Sequence, residues 1–239
     1  MAVLPLLLLA AGRSRRFGEQ DKRFTPLPKG GEMLPALIRR AGKAGAQAFA
    51  VLSESDRHNN VAAKLDAPCF YARRAEEGMG FSLAEGMRAL LQHFDCTEEQ
   101  LRSHALPPSL PEAVLIMPAD LPLLRITTIS QLINAASADD IVVPRCQGRV
   151  GHPVAFGRKY WPALCAVMGE QGGKGVIQDP ASTRRFIDVS DPGIYSDVEP
   201  GFAVRDGNDL CRPRLARTAR ARQCVPWDRV AGHAGVGPQ

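Results

Sequence analysis

The sequence predicts an α/β protein, a three-layer α/β/α sandwich around a mostly parallel β-sheet. Two observations carry that reading: short apolar runs alternate with segments of helical periodicity along most of the chain, and 239 residues suffice for one large core. Hydrophobic residues make up 45% and charged residues 23%, the balance of a globular domain and not of a disordered one.

The first run, residues 3–9, lies in the nearly all-apolar stretch from Ala2 to Ala11 and reads as a buried parallel strand, which is apolar on both faces. A secretory signal would place its positive charge ahead of the apolar run. Here Arg13, Arg15 and Arg16 follow it. Further strands are expected at 47–52, 113–117 and 140–144, with a weaker one near 68–71. Between them Leu34, Leu37, Ile38 and Ala41 recur at helical spacing, as do Leu83, Met87, Leu90 and Leu91, and then Ile126, Ile129, Leu132 and Ile133. Each such helix can cross over to the next strand. The stretch 96–112 mixes a polar helical turn with Pro107, Pro108 and Pro111, so it reads as a surface insertion. Periodicity ends near residue 207. The folded domain is therefore placed at 1–206, and the Arg-, Gly- and Pro-rich segment 207–239 is expected to be a mobile tail.

The net charge of +5 comes from that tail. Residues 211–239 hold Arg212, Arg214, Arg217, Arg220, Arg222 and Arg229 against Asp228, which leaves 24 basic and 24 acidic residues in the rest of the chain. A neutral body argues against nucleic acid as the main partner. Six cysteines show no C-x-x-C spacing, so neither a zinc site nor a disulfide framework is indicated, and a cytoplasmic location fits. No run reaches the roughly 18–20 apolar residues of a membrane span, so no membrane partner is expected.

In an open α/β sheet, ligands bind beyond the carboxyl ends of the strands. The segment after the first strand, Leu9 to Gly18 and on to Asp21 and Lys22, combines small residues with Arg13, Arg15, Arg16 and Lys22. Small residues let backbone N–H groups approach phosphate oxygens, and the cations supply charge. It is neither a Walker A loop nor a G-x-G-x-x-G turn. Asp120 ends the apolar run 114–117 between Pro118 and Pro122, where a rigidly held carboxylate suits a hard cation or a helix N-cap. Gly78 to Leu83 reads as a flexible turn entering a helix, with Ser82 a candidate cap. Gly148 to Val154 reads as a hairpin turn with His152 at its tip.

Taken together, these four segments resemble the nucleotidyltransferase family that builds molybdenum cofactor dinucleotides, within the NTP transferase superfamily, and most closely its cytidylyltransferase branch. The resemblance spans about residues 4–205. Leu9 to Gly18 is similar to the family's L-A-A-G-x-S-x-R-[FM]-G signature, which implies that Arg16 and Lys22 act on phosphates and that Leu9, Ala10, Ala11, Gly12, Arg13 and Ser14 line the nucleotide. Asp120 resembles the metal aspartate of a G-D-x-P segment, with Ala119 in place of glycine. Gly78, Met79, Gly80 and Ser82 resemble the G-M-G-x-S-L turn near the base, and Gly151, His152 and Pro153 the G-H-P-V segment on the acceptor side. Asp197 would be a second metal carboxylate, with Glu199 the competing candidate in a shortened D-[IV]-D-T-P segment. Gly172 to Ile177 lacks the acid of the family's G-D-[RK]-G-A-R segment.

The resemblance implies a Rossmann-like sheet of the nucleotide-diphospho-sugar transferase type, Mg2+ as cofactor, and transfer of CMP from CTP to molybdopterin with pyrophosphate released. Ala11, where the guanylyltransferase branch has glycine, favours CTP over GTP. Other readings remain: a sugar or polyol phosphate as acceptor, GTP or another NTP as donor, a non-catalytic nucleotide-binding or cofactor-delivery partner of a molybdoenzyme, and nucleic-acid binding through the tail.

Overall fold

A computed structural model describes residues 3–12, 21–27 and 30–195. The expected tail at 207–239, and the calls on Arg13, Ser14, Arg16, Asp197 and Glu199, lie outside the described residues.

Among the described residues eight strands form one sheet: β1 Leu4–Leu9, β2 Ala46–Ser53, β3 Cys69–Ala72, β4 Ala113–Pro118, β5 Ile141–Cys146, β6 Arg149–Val150, β7 Val154–Gly157 and β8 Arg184–Asp188. β3, β2, β1 and β4 run parallel in that order, β7 joins β4 antiparallel, and β5 follows β7 with β8 parallel on its far side. The seven α-helices among the described residues are α1 Met33–Ala44, α2 Glu54–His58, α3 Met79–His93, α4 Glu98–Arg102, α5 Ile126–Ala135, α6 Trp161–Cys165 and α7 Lys174–Gln178. The five expected strands are present within a residue or two of their expected limits, and the three helical stripes lie within α1, α3 and α5. β6, β7 and β8 were not foreseen: β6 and β7 are two and four residues long, and β8 is exposed along most of its length.

Two apolar layers make this a three-layer sandwich. Successive strand side chains point to opposite faces, so Leu4, Leu6 and Leu8 of β1 join Leu34, Leu37 and Ile38 of α1 and Ile129 and Leu132 of α5 on one face. Leu7 of β1, Phe49 and Val51 of β2, and Val114 and Ile116 of β4 meet Leu83, Met87 and Leu90 of α3 and Trp161 of α6 on the other. That double burial is why β1 reads as an unbroken apolar run. α1 stops at Gly45, whose φ of 91° is left-handed and whose N–H closes on the Ala41 and Gly42 carbonyls.

The segment 96–112 carries α4, started by a capping box between Thr97 and Gln100, and is fastened through the Pro108 and Leu110 carbonyls to the Arg158 guanidinium. The β5–β6 hairpin turns at Gln147 and Gly148, both at positive φ (51° and 76°). His152 is therefore not at the tip, as the sequence suggested. β6 and β7 are one antiparallel strand broken by a bulge: three steps along β5, from Val142 to Arg145, correspond to five from Val150 to Ala155. His152 sits in that bulge, with its N–H on the Ile194 carbonyl at 2.7 Å and a cis bond to Pro153.

α3 lies close against the sheet because position 86 has no side chain. A Cβ there would sit 2.6 Å from Val51 Cγ2 and 3.3 Å from Leu7 Cδ2. Gly86→Val is expected to cost about 1–3 kcal/mol of stability by overpacking, read as a lower urea midpoint with an unchanged denaturant slope.

Candidate active site

β1 is the strand from which the sheet grows both ways, with β2 and β3 on one side and β4 on the other. Such a switch point leaves a crevice at the carboxyl ends of the strands. A cleft of about 560 Å³ lies there. Its wall includes Leu9, Ala10, Ala11 and Gly12 after β1, Ser53 ending β2, and Pro118, Ala119 and Asp120 after β4. The ladders continue into it: the Ala10 N–H reaches the Val51 carbonyl at 2.9 Å and the Ala119 N–H reaches the Leu9 carbonyl at 3.1 Å.

Lys22 opens the short 3-10 turn Lys22–Phe24, and its Nζ donates to Asp120 Oδ2 at 3.2 Å. The expected cation and the expected carboxylate, 98 residues apart in sequence, thus meet in the cleft. Asp120 does not cap a helix, since α5 begins later, with Arg125 as its cap residue. The turn after Asp120 is tied by the Arg40 guanidinium to the Pro122 carbonyl.

Gly78, Met79 and Ser82 also line the cleft, where α3 begins. Gly78, not Ser82, is the cap residue; Ser82 lies inside the first turn and is buried. Gly80 does not line the cleft but serves it. Its N–H donates to the Gly169 carbonyl at 2.7 Å, and a Cβ on Gly78 or Gly80 would sit 2.5 Å or 2.7 Å from the Gly169 or Met168 backbone. This close approach brings Glu170 into the cleft wall alongside Glu76.

Gly151, His152 and Pro153 are not among the lining residues. His152 is near enough to feel the charge of Asp120. Burial nonetheless holds the imidazole below its ordinary pKa, against the Ile116 carbonyl and Asp120, which both favour the proton. Its Nδ1 is buried without a hydrogen-bond partner. The four cysteines among the described residues are free thiols, and burial raises Cys165 to about 12, so it offers no thiolate nucleophile near neutral pH.

Sequence reading missed Arg23 and Asp56. The Arg23 guanidinium bonds Asp56 at 2.6 and 2.7 Å and also reaches Asp21 and the Ala10 carbonyl. Only the pairing with Asp21 was within local reach; Asp56 lies 33 residues away. Asp56 is buried at the start of α2, where it completes a capping box with Ser53.

Among the described residues no three potential metal ligands of the His, Cys, Asp and Glu type cluster together. Asp120 in the cleft wall fits a hard cation whose remaining ligands are substrate phosphates and water, the usual habit of magnesium. No described helix is long and apolar enough to cross a membrane.

Burial pushes the Asp56 carboxyl up, but hydrogen bonds from Arg23 and Ser53 outweigh it and leave the pKa lowered. Such a group stabilises the fold above the unfolded carboxyl pKa of about 3.9, and that contribution fades as pH falls through this range and below. Asp56→Asn is expected to lower stability at pH 7 by about 1.5–3 kcal/mol, the worth of a charged hydrogen bond. The gap from wild type should shrink at pH 3, as measured by paired urea titrations.

Residues 6–185, well over half of the chain, match the family model of the MobA-like NTP transferase domain. No curated protein sequence matches the chain. Among solved structures it is similar to Rv0371c from Mycobacterium tuberculosis H37Rv, with 22% identity and a TM-score of 0.63 over 84% of this chain and 95% of that one. A complex of Rv0371c with manganese is also similar, with 22% identity and a TM-score of 0.59 over 79% and 89%. A nucleotidyl transferase from Methanothermobacter thermautotroptrophicus shares 15% identity and a TM-score of 0.61 over 80% and 89%. These likenesses establish the shared fold, and the match over residues 6–185 establishes the lineage: the chain belongs to the MobA-like NTP transferase domain family.

Proposed function

We propose that the chain is a magnesium-dependent cytidylyltransferase that moves CMP from CTP to the terminal phosphate of molybdopterin and releases pyrophosphate. The observation that carries this reading is the meeting of Lys22 and Asp120 in a cleft at the carboxyl ends of β1 and β4. A cation and a carboxylate there suit a polyphosphate and its metal. The family supports an NTP donor. Ala11, buried in the cleft wall, supports the smaller base, although one methyl group is worth only about 1–3 kcal/mol of discrimination.

In this reading the triphosphate lies along Leu9 to Gly12, and the base lies toward Gly78, Met79 and Ser82. An oxygen of the acceptor phosphate attacks the α-phosphorus, and the bond to the β-phosphate oxygen breaks in line. Lys22 offsets charge growing on the departing pyrophosphate, a task that rests on placement and charge, not covalent chemistry. Arg16 would share this task, and Arg13 and Ser14 would add donors to the same loop. A bound divalent metal would neutralise phosphate charge, and Asp120 would hold it; manganese is named with one protein of this fold. Asp197 would be the second carboxylate. Gly151, His152 and Pro153 would form the acceptor side. An ionised phosphate nucleophile needs no general base.

The test is pyrophosphate release from each of the four nucleoside triphosphates with magnesium and molybdopterin, with and without a chelator. Release with CTP and magnesium is expected. Release with GTP, or with a sugar or polyol phosphate acceptor, would revise the substrates. No release under any combination would favour a carrier and sink the enzyme reading. Lys22→Ala and Asp120→Ala are each expected to lower turnover at least about 100-fold while the circular dichroism spectrum is retained; near-normal turnover in either refutes the assignment.

A further inference from the structure

Arg23 lines the cleft beside Lys22, and an arginine in such a place is an obvious candidate to grip phosphate. Its hydrogen bonds leave it nothing to grip with. Nε donates to both oxygens of Asp21 at 2.9 and 3.1 Å, and Nη2 to Asp21 Oδ2 at 2.7 Å and Asp56 Oδ1 at 2.6 Å. Nη1 donates to Asp56 Oδ2 at 2.7 Å and to the Ala10 carbonyl at 2.9 Å. Two carboxylates against one guanidinium make the group net negative, so an approaching phosphate is repelled.

The same bonds act as a clamp. Asp56 is itself fixed to the end of β2, where its Oδ2 accepts from the Ser53 N–H at 2.8 Å and the Ser53 hydroxyl at 2.7 Å. Ala10 is the first residue past β1. The guanidinium therefore fastens the turn Lys22–Phe24 to the carboxyl ends of two adjacent strands, and the neighbouring residue in that turn is Lys22. Holding the Ala10 carbonyl also fixes the plane of the Ala10–Ala11 peptide, because the carbonyl and the following N–H belong to one rigid unit. Burial disfavours the Arg23 charge, yet the bonds to Asp56 and Asp21 prevail and raise its pKa. The clamp is thus charged throughout the working pH range.

We propose that Arg23 is a positioning residue for nucleotidyl transfer. Held by Asp21 and Asp56, it sets Lys22 against the Asp120 side of the cleft and does not itself bind nucleotide. The proposal rests on the enzyme reading above for its catalytic part, and on geometry alone for the clamp. A lysine cannot take its place, since an ammonium lacks the planar fork that engages two carboxylates and a carbonyl together.

The test uses the full-length chain with two readouts. In steady-state kinetics with CTP, magnesium and molybdopterin, Arg23→Met should lose about 30–100-fold in kcat, the scale of a misplaced catalytic group, with KM for CTP changed less than about threefold. Arg23→Lys should recover only part of the loss. A rise in KM at unchanged kcat would make Arg23 a nucleotide ligand and overturn the proposal. The second readout needs no substrate: amide hydrogen exchange of Arg23→Met should quicken in peptides covering 9–12 and 21–25 and stay at the wild-type rate over α5 and β8. Unchanged exchange in the first two segments overturns the clamp. Should Arg23→Met fail to fold around an unpaired Asp56, Arg23→Met with Asp56→Asn removes the buried charge and carries the same expectations. If the wild-type chain releases no pyrophosphate, the enzyme reading fails, and the exchange pattern still decides the clamp.

Discussion

β1 is hydrogen-bonded to β2 on one side and β4 on the other, and both ladders run past its end, through Ala10 to Val51 and through Leu9 to Ala119. Parallel register makes the three strands finish at nearly the same level. Everything in the cleft hangs on that alignment: Ala10, Ser53 and Asp120 are neighbours because their strands stop together. Side chains that must meet from distant parts of the chain then need only short reaches. Lys22 spans to Asp120, and Arg23 spans to Asp56, from one three-residue turn.

Two of that turn's ion pairs, Lys22–Asp120 and Arg23–Asp56, differ in the exposure of their carboxylates. The Lys22 side chain is 14% exposed and that of Asp120 34%, so water competes for the carboxylate. The carboxylate is thus the end of this pair that an incoming cation can reach. Arg23 and Asp56 are 15% and 7% exposed and doubly bonded. Removing one partner of a desolvated pair strands the other charge at several kcal/mol. The turn therefore joins one carboxylate open to water and another closed to it.

Legibility in the sequence followed burial. Strands covered on both faces, such as β1 and β4, announce themselves as apolar runs, and α1, α3 and α5 as stripes at helical spacing. β8, exposed at Arg184, Arg185 and Phe186, offers no such pattern, and β6 and β7 are too short to show one. Asp120 stood out because it follows the end of β4 directly, and Lys22 because it belongs to the small and basic segment after β1. Asp56 did not: it stands in the polar run Glu54 to His58, and its importance comes from a partner 33 residues away. Glu170 was hidden for a similar reason, since its place depends on the backbone approach of Gly169 to Gly80. His152 was misplaced because a hairpin tip and a bulge beyond it share the same glycine-rich signature.

The interruption between β6 and β7 has an arithmetical side. It inserts two residues, an even number, and strand faces alternate with period two. Val150 before the break and Val154 and Phe156 after it therefore address the same apolar layer, while Ala155 addresses the other. The strand thus gains slack beside Asp120 without changing parity. Loss of one residue from Gly151 to Pro153 would instead invert every side chain downstream, trading the Phe156 ring for the Ala155 methyl in a close-packed layer. Length variation at this break is tolerable to the core only in pairs.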